Sequence, residues 1–358
     1  MTERRALTIL DERRAELETC AFCPKLCRAA CPVSDAEASE TVTPWGKMGA
    51  VYRLGRGAAE STPEYAASAW ACTGCFGCKE RCEQRNPVAE TLYEARASHF
   101  KRRLAPPAAE RLSKRFSARA ARIREAGERL QREHGHRSDA ATALLVGCDY
   151  SLRLPAETSD AVRAARALFG ELRLLSGCCG LSLDAAGDPE QAARQRAELA
   201  TQFKGASRLV VVDSGCAFAL RAAGAVPLAR AALEQLERRR DSAHSAEFAG
   251  VRYHDPCLLG RGLGEYAAPR ELLTLAGGRP PEEFSRRREA GRCSGGGGLV
   301  PLTRPETARQ MARDRLLEHD RLGGGKIVTA CAQSLRSFRT AGAEAIDLAT
   351  VIRYLAER

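Results

Sequence analysis

From residue 138 onward, short apolar runs alternate with longer stretches in which apolar positions recur at helical spacing. Ala141–Val146, Leu172–Leu175, Leu209–Val212, Val251–Tyr253 and Ile327–Thr329 predict short buried strands. Ser159–Phe169, Pro189–Phe203 and Pro305–His319 predict helices between them. That alternation defines βαβ units and parallel sheets. Before residue 138 there is no convincing strand pattern. The chain there reads as helices and cysteine-bearing loops, which puts a boundary near Arg137. Residues 96–137 have helical composition with a break at Pro106-Pro107 and are expected to form a connector.

The strand-rich half repeats itself. Cys148, the pair Cys178-Cys179, and Cys216 recur as Cys257, Cys293 and Cys331; the interval from 178 to 216 is 38 residues and that from 293 to 331 is again 38. The copies are offset by 109 residues at the first position and by 115 at the other two. Two modules of about 110 residues fit ordinary domain size. Cys148, Cys216 and Cys331 each follow a predicted strand, and open α/β sheets gather their ligands at the carboxyl ends of strands. Thiols distant in sequence are thereby expected to meet.

Composition narrows the class. At 358 residues, two or three domains are expected, and 44% hydrophobic with 28% charged residues is ordinary for a globular chain. No apolar run approaches the roughly 18 residues of a membrane span, and Met1–Arg5 lacks the apolar stretch of a signal peptide. The expectation is a cytoplasmic chain, where fifteen cysteines point to metal or redox chemistry and not to disulfides. The net charge of +11 is local: residues 96–137 hold 13 Lys/Arg against four Asp/Glu, a net of +9. Such a stretch suits an acidic partner or an anionic membrane surface, so a peripheral place on the inner membrane face is also open. With no nucleic-acid fold signature and only 5% aromatic residues, nucleic acid is not an expected partner.

Eight cysteines lie between positions 20 and 82. Cys72-x2-Cys75-x2-Cys78-x3-Cys82 has the bacterial ferredoxin spacing, in which the fourth thiolate ligates the other cluster. The partner run is Cys20-x2-Cys23-x3-Cys27-x3-Cys31-Pro32. Two [4Fe-4S] clusters follow, with Cys82 completing Cys20, Cys23 and Cys27, and Cys31 completing Cys72, Cys75 and Cys78. The spacing departs in the three residues between Cys23 and Cys27 and in Glu83 after Cys82, where proline is usual. Zinc is the weaker alternative, because zinc modules separate their thiol pairs by a dozen or more residues. Covalent haem is excluded, since no C-x-x-C is followed by histidine.

Gly177-Cys178-Cys179-Gly180, His254-Asp255-Pro256-Cys257, Cys293-Ser294 with the glycines 295–298, Ser214-Gly215-Cys216 and Thr329-Ala330-Cys331 carry a more specific likeness. The chain resembles the family of duplicated cysteine-rich (Cys-Cys-Gly) domains. That family includes heterodisulfide reductase catalytic subunits and the iron–sulfur subunits of glycolate oxidase, lactate-utilisation and anaerobic glycerol-3-phosphate dehydrogenase complexes. Thr43-Pro44-Trp45-Gly46-Lys47-Met48, between the two cysteine runs, resembles a phrase of the last three. The family's full module has five cysteines. Here module one keeps Cys148, Cys178, Cys179 and Cys216 with Ala219 in place of the fifth. Module two keeps Cys257, Cys293 and Cys331, with Ser294 and Ser334 in place of the others. The resemblance implies a third iron–sulfur cluster in module one, and in module two a [3Fe-4S] or incompletely ligated cluster or a vestigial site. His254-Asp255 is expected mainly to cap a turn, and the glycine run to bring backbone close to a cluster.

The expected architecture is a multi-domain α + α/β chain. A helical ferredoxin-like domain with two clusters (1–95) precedes the basic connector (96–137), and two tandem α/β cysteine-rich modules follow (138–245 and 246–358), related by pseudo-twofold duplication. The resemblance implies an electron-transfer subunit of an oxidoreductase complex, not a complete enzyme alone. It would relay electrons between a flavoprotein dehydrogenase or electron-transfer flavoprotein and a further acceptor such as quinone. The alternative is a heterodisulfide-reductase-like subunit that reduces a disulfide itself. No G-x-G-x-x-G follows a strand to bind a flavin or nicotinamide.

Overall fold

A computed structural model describes residues 9–21, 23, 26–237 and 244–358. The chain divides into two compact units. One comprises residues up to Arg115 with Ser182–Ala192 and Glu289–Arg315; the other comprises Phe116–Leu181, Ala193–Arg288 and Leu316–Arg358. The basic stretch is shared. Helices Val88–Lys101 and Pro107–Lys114 belong to the first unit, and helix Phe116–His134 to the second.

The regular elements of the first unit are all helices among its described residues. Thr43 caps helix Pro44–Gly55, its hydroxyl accepting from Gly46 N at 3.1 Å, with Pro44 in the first helical position where its missing N–H costs nothing. Leu17, Met48, Val51, Leu54, Trp70, Leu92 and Ala95 form its core, all fully buried. Each large apolar side chain there contributes roughly 1.5–3 kcal/mol. Between the helices lie the cysteine-bearing turns.

The second unit holds two four-stranded, fully parallel sheets. The first is built from β1 (Thr142–Leu145), β2 (Leu172–Leu174), β3 (Arg208–Val211) and β4 (Ala225–Pro227) in the order β2-β1-β3-β4. The other is built from β5 (Arg252–Tyr253), β6 (Glu282–Glu283), β7 (Ile327–Thr329) and β8 (Ala345–Asp347) in the matching order β6-β5-β7-β8. The five predicted strands are present; β4, β6 and β8 are additional edge strands. A large apolar core runs through this unit, with Leu144, Val210, Tyr253 and Val328 among its buried members, and a smaller one around Leu145 and Val211 covers the other face of the first sheet.

Tyr150 donates to Asp347 Oδ2 at 2.6 Å in this core. Burial pushes the Asp347 carboxyl up to about 7, against the pull of the Tyr150 and Ala349 hydrogen bonds. Because the folded value lies above the unfolded one, the protonated carboxyl favours the fold. That stability is complete at about pH 3 and is lost as pH rises through about 7. Asp347→Asn is therefore expected to flatten a fall of a few kcal/mol between about pH 4 and 7. Denaturant unfolding at a series of pH values measures the slope.

Candidate metal centres

Thiols from both N-terminal runs line each of two hollows, with Cys78 lining both. Cys20 lies near the end of helix Arg14–Ala21, Cys27 sits in the 3-10 turn Leu26–Ala30, and Cys82 follows the short helix Gly77–Glu80. With Cys23 they line a cavity of about 310 Å³, walled also by Thr19, Trp45, Cys78, Gln84, Asn86 and Val88. Cys31, Cys72, Cys75 and Cys78 line a second, smaller hollow. Cys20, Cys31, Cys72 and Cys75 are buried, and Cys23, Cys27, Cys78 and Cys82 half-buried.

Burial, then the nearby Cys27 and Cys82 sulfurs, push the Cys20 thiol up to about 12. Burial raises Cys27 to about 11, although the Trp45 backbone N–H donates to it. Cys78 is pushed well up by burial and by Cys72, Cys75 and Cys31. Four sulfurs packed this way become thiolates only around a strongly cationic core, which deprotonates its thiol ligands. Among the described residues no three His, Cys, Asp or Glu side chains close on a single ion. The thiols instead rim a space, and that donor set suits an iron–sulfur cluster better than a lone zinc.

At the carboxyl edge of the first sheet, Cys148, Cys178, Cys179 and Cys216 form one hydrogen-bonded chain of thiols in that order. Cys148 opens helix Cys148–Arg153 directly after β1, through Gly147 at φ 100°. A Cβ at position 147 would sit 2.9 Å from the Asp213 side chain and 3.2 Å from Cys216 Sγ, so glycine lets the loop close on the thiols. Asp213 caps helix Ser214–Ala219 by accepting from Gly215 N and Cys216 N at 2.9 and 3.0 Å, which fixes Cys216. The Arg119 guanidinium lies 3.5 Å from Cys148 Sγ.

In the second sheet, Cys257 opens helix Cys257–Leu263 after β5, and Cys331 caps helix Ala332–Thr340 after the neighbouring β7. Cys293 is buried within the Glu289–Arg315 segment of the first unit. Ser294 and Ser334 are buried. Asp255 does not act as a turn cap. Its carboxylate is gripped by Arg270 at 2.8 and 2.9 Å and accepts from Arg288 N at 2.8 Å. His254 is packed edge-on against Phe284 and Phe338. The glycine run lies on backbone: a Cβ at 297 or 298 would overlap the Thr73 and Cys72 carbonyl oxygens.

Sequence reasoning missed four polar side chains at these centres. Lys47 Nζ lies 3.5 Å from Cys31 Sγ, and Asn86 Nδ2 donates to Cys20 Sγ at 3.1 Å. Arg96 Nη2 donates to Cys72 O at 2.6 Å, and Arg119 reaches Cys148. Only Lys47 had a signal, its place in the phrase between the two cysteine runs.

Comparison with known proteins places the cysteine-bearing regions in known domain families. Residues 16–86 match the 4Fe-4S dicluster domain family, and residues 142–221 and 251–338 each match the cysteine-rich domain family. The chain belongs to the cysteine-rich (CCG) domain family of iron–sulfur proteins. It is 24% identical over 273 residues to a fumarate reductase (CoM/CoB) subunit of Methanothermobacter marburgensis, covering 73% of this chain and 55% of that protein. To a dihydromethanophenazine:CoB–CoM heterodisulfide reductase subunit of Methanosarcina mazei it is 32% identical over 162 residues, 39% of this chain and 38% of the relative. A probable membrane-anchored ferredoxin of Chromohalobacter salexigens is 35% identical over 107 residues, 30% of this chain and 16% of that protein. The chain thus spans about half the length of the first of these relatives and less of the others. Among its described residues no helix is long and apolar enough to cross a membrane.

Proposed function

We propose that this chain is the electron-transfer subunit of a multi-subunit oxidoreductase. It carries one [4Fe-4S] cluster on Cys20, Cys23, Cys27 and Cys82 and another on Cys31, Cys72, Cys75 and Cys78. A third cluster sits on Cys148, Cys178, Cys179 and Cys216. For Cys257, Cys293 and Cys331, the family resemblance alone implies a [3Fe-4S] or incompletely ligated cluster. The observation that supports the reading is that thiols of both N-terminal runs line each hollow, Cys82 and Cys78 beside Cys20, Cys23 and Cys27 in one and Cys31 beside Cys72, Cys75 and Cys78 in the other. Bound clusters supply one-electron storage; the chain supplies the thiolates, excludes water from the inner set and holds fixed charges beside the sulfurs.

The four-part division expected from the sequence (1–95, 96–137, 138–245 and 246–358) belongs to this reading, as does an origin of the two α/β modules by duplication. Their identical strand order supports the duplication. Electrons pass between a flavoprotein dehydrogenase or electron-transfer flavoprotein and an acceptor such as quinone. Exposed Lys101, Arg103, Arg111, Lys114 and Arg115 on the first unit offer an acidic partner or the inner membrane face a basic surface. A disulfide-reducing role, suggested by the name of the Methanosarcina relative, is the second reading. Against it stand Ala219, Ser294 and Ser334 at the family's remaining thiol positions, since a hydroxyl is a far poorer iron ligand than a thiolate.

Anaerobic purification tests the proposal. A brown protein with acid-labile sulfide and reducible EPR signals is expected, and a colourless protein carrying only zinc would overturn it. Turnover of a disulfide by the isolated chain would favour the second reading.

A further inference from the structure

The two N-terminal thiol sets match in chemistry and differ in the charge around them. Among the described residues, the wall of the Cys20 cavity holds no Lys or Arg and one carboxylate, Glu83. The donors seen on its sulfurs among the described residues are neutral, the Asn86 amide on Cys20 and the Trp45 backbone N–H on Cys27. The Cys31 set is flanked by two cations that are almost wholly removed from solvent, Lys47 at 1% and Arg96 at 0% exposure. Lys47 Nζ donates to Ala71 O at 2.7 Å and lies 3.5 Å from Cys31 Sγ, with Cys72 and Cys78 also acting on it. The Arg96 guanidinium donates to the carbonyls of Cys72, Ala69, Ala185 and Gly298 and lies 4.3 Å from the Tyr93 ring centroid.

Burying a positive charge is costly unless a negative one compensates it. At Lys47 the anionic neighbours are the sulfurs of the second set, so the ammonium is placed to neutralise whatever negative charge that set carries. A thiolate-bound cluster becomes more negative on reduction. A fixed cation in hydrogen-bond range of its sulfur therefore favours the reduced form, most strongly where water does not screen it. Burial by itself acts in the opposite direction, because a dry site resists added charge. Two buried cations flanking one centre, against neutral donors among the described residues at the other, set the order.

We propose that Lys47, with Arg96 beside it, raises the reduction potential of the Cys31, Cys72, Cys75 and Cys78 centre above that of the Cys20, Cys23, Cys27 and Cys82 centre. The inference rests on the two-cluster reading above. The step it governs moves one electron from the half-buried centre to the inner one, oxidising the first and reducing the second, with no bond made or broken and no proton required. Lys47 is a positioning residue in this sense: it touches a ligand, not a substrate.

The test is a dithionite titration of the anaerobic holoprotein followed by EPR, with Cys23→Ser and Cys75→Ser assigning the two signals. In the wild-type chain the Cys75-dependent signal is expected at the higher potential. Lys47→Met should lower that midpoint and leave the Cys23-dependent one in place. At a poise that half-reduces the wild-type inner centre, the variant should keep roughly a tenth of the reduced signal. Lys47→Arg, which keeps the charge, should recover most of it. Where Lys47→Met loses iron, the comparison of Lys47→Gln with Lys47→Arg carries the test, and only Gln should shift. A midpoint unmoved by loss of the charge, equal movement of both signals, or a lower wild-type potential at the inner centre overturns the inference. Absence of any reducible signal in the wild-type chain would instead sink the two-cluster reading.

Discussion

Cys82→Ser is expected to abolish the same EPR signal as Cys23→Ser and to leave the signal that depends on Cys72 intact. Each variant should lose roughly four irons per chain, the content of one cubane. The outcome discriminates sharply, because Cys82 adjoins Cys78 in the cysteine run and a run-by-run assignment would pair it with Cys72 and Cys75. Cys31→Ser should behave in the converse way, extinguishing the Cys72-dependent signal. Iron and sulfide analysis beside EPR checks both. Loss of the Cys72-dependent signal in Cys82→Ser would contradict the crossed ligand sets.

Arg96→Met is expected to destabilise the chain by at least about 3 kcal/mol, as loss of a buried, hydrogen-bonded charge does. Its guanidinium unites four carbonyls from segments far apart in sequence, at Ala69, Cys72, Ala185 and Gly298. Methionine fills part of the volume and leaves those oxygens without their donor. Arg96→Lys should recover only part of the loss, since one ammonium cannot span a fork of four acceptors. Denaturant unfolding of the three proteins under identical anaerobic conditions measures the difference. A loss below about 1 kcal/mol would show that the carbonyls find other donors.

The central strands were legible because both their faces are covered. Leu209–Val212 and Ile327–Thr329 are short continuous apolar runs, the mark of buried parallel strands. The strands that escaped carry no such mark. β6 is Glu282-Glu283, β4 ends in Pro227, and β8 ends in Asp347. These pair on one side only and are short, so tertiary pairing and not local pattern creates them. At the site, the dicluster domain was readable because its eight cysteines fall in two runs of tight, regular spacing. The residues that act on the sulfurs have no spacing rule. Arg96 is one basic residue among 13 in its stretch, and nothing in its neighbours marks it as the one withdrawn from water. The glycine run was expected near a cluster; its contact is with the Cys72 and Thr73 carbonyls, a packing fact that only the fold supplies.

The crossed ligand sets proposed above also bear on how the protein is made. A centre that needs Cys20 and Cys82 cannot be completed on the ribosome until both have emerged, and the same holds for Cys31 with Cys72. Neither cofactor has a finished binding loop in a short nascent chain. Both would be inserted late and nearly together, one closing a loop of about sixty residues and the other one of about forty, each loop's closure entropy reduced by the other. An iron-starved cell would then accumulate chains lacking both staples instead of a mixture of half-loaded forms. Mass spectrometry of protein made under limiting iron should find empty and doubly loaded chains, with few in between.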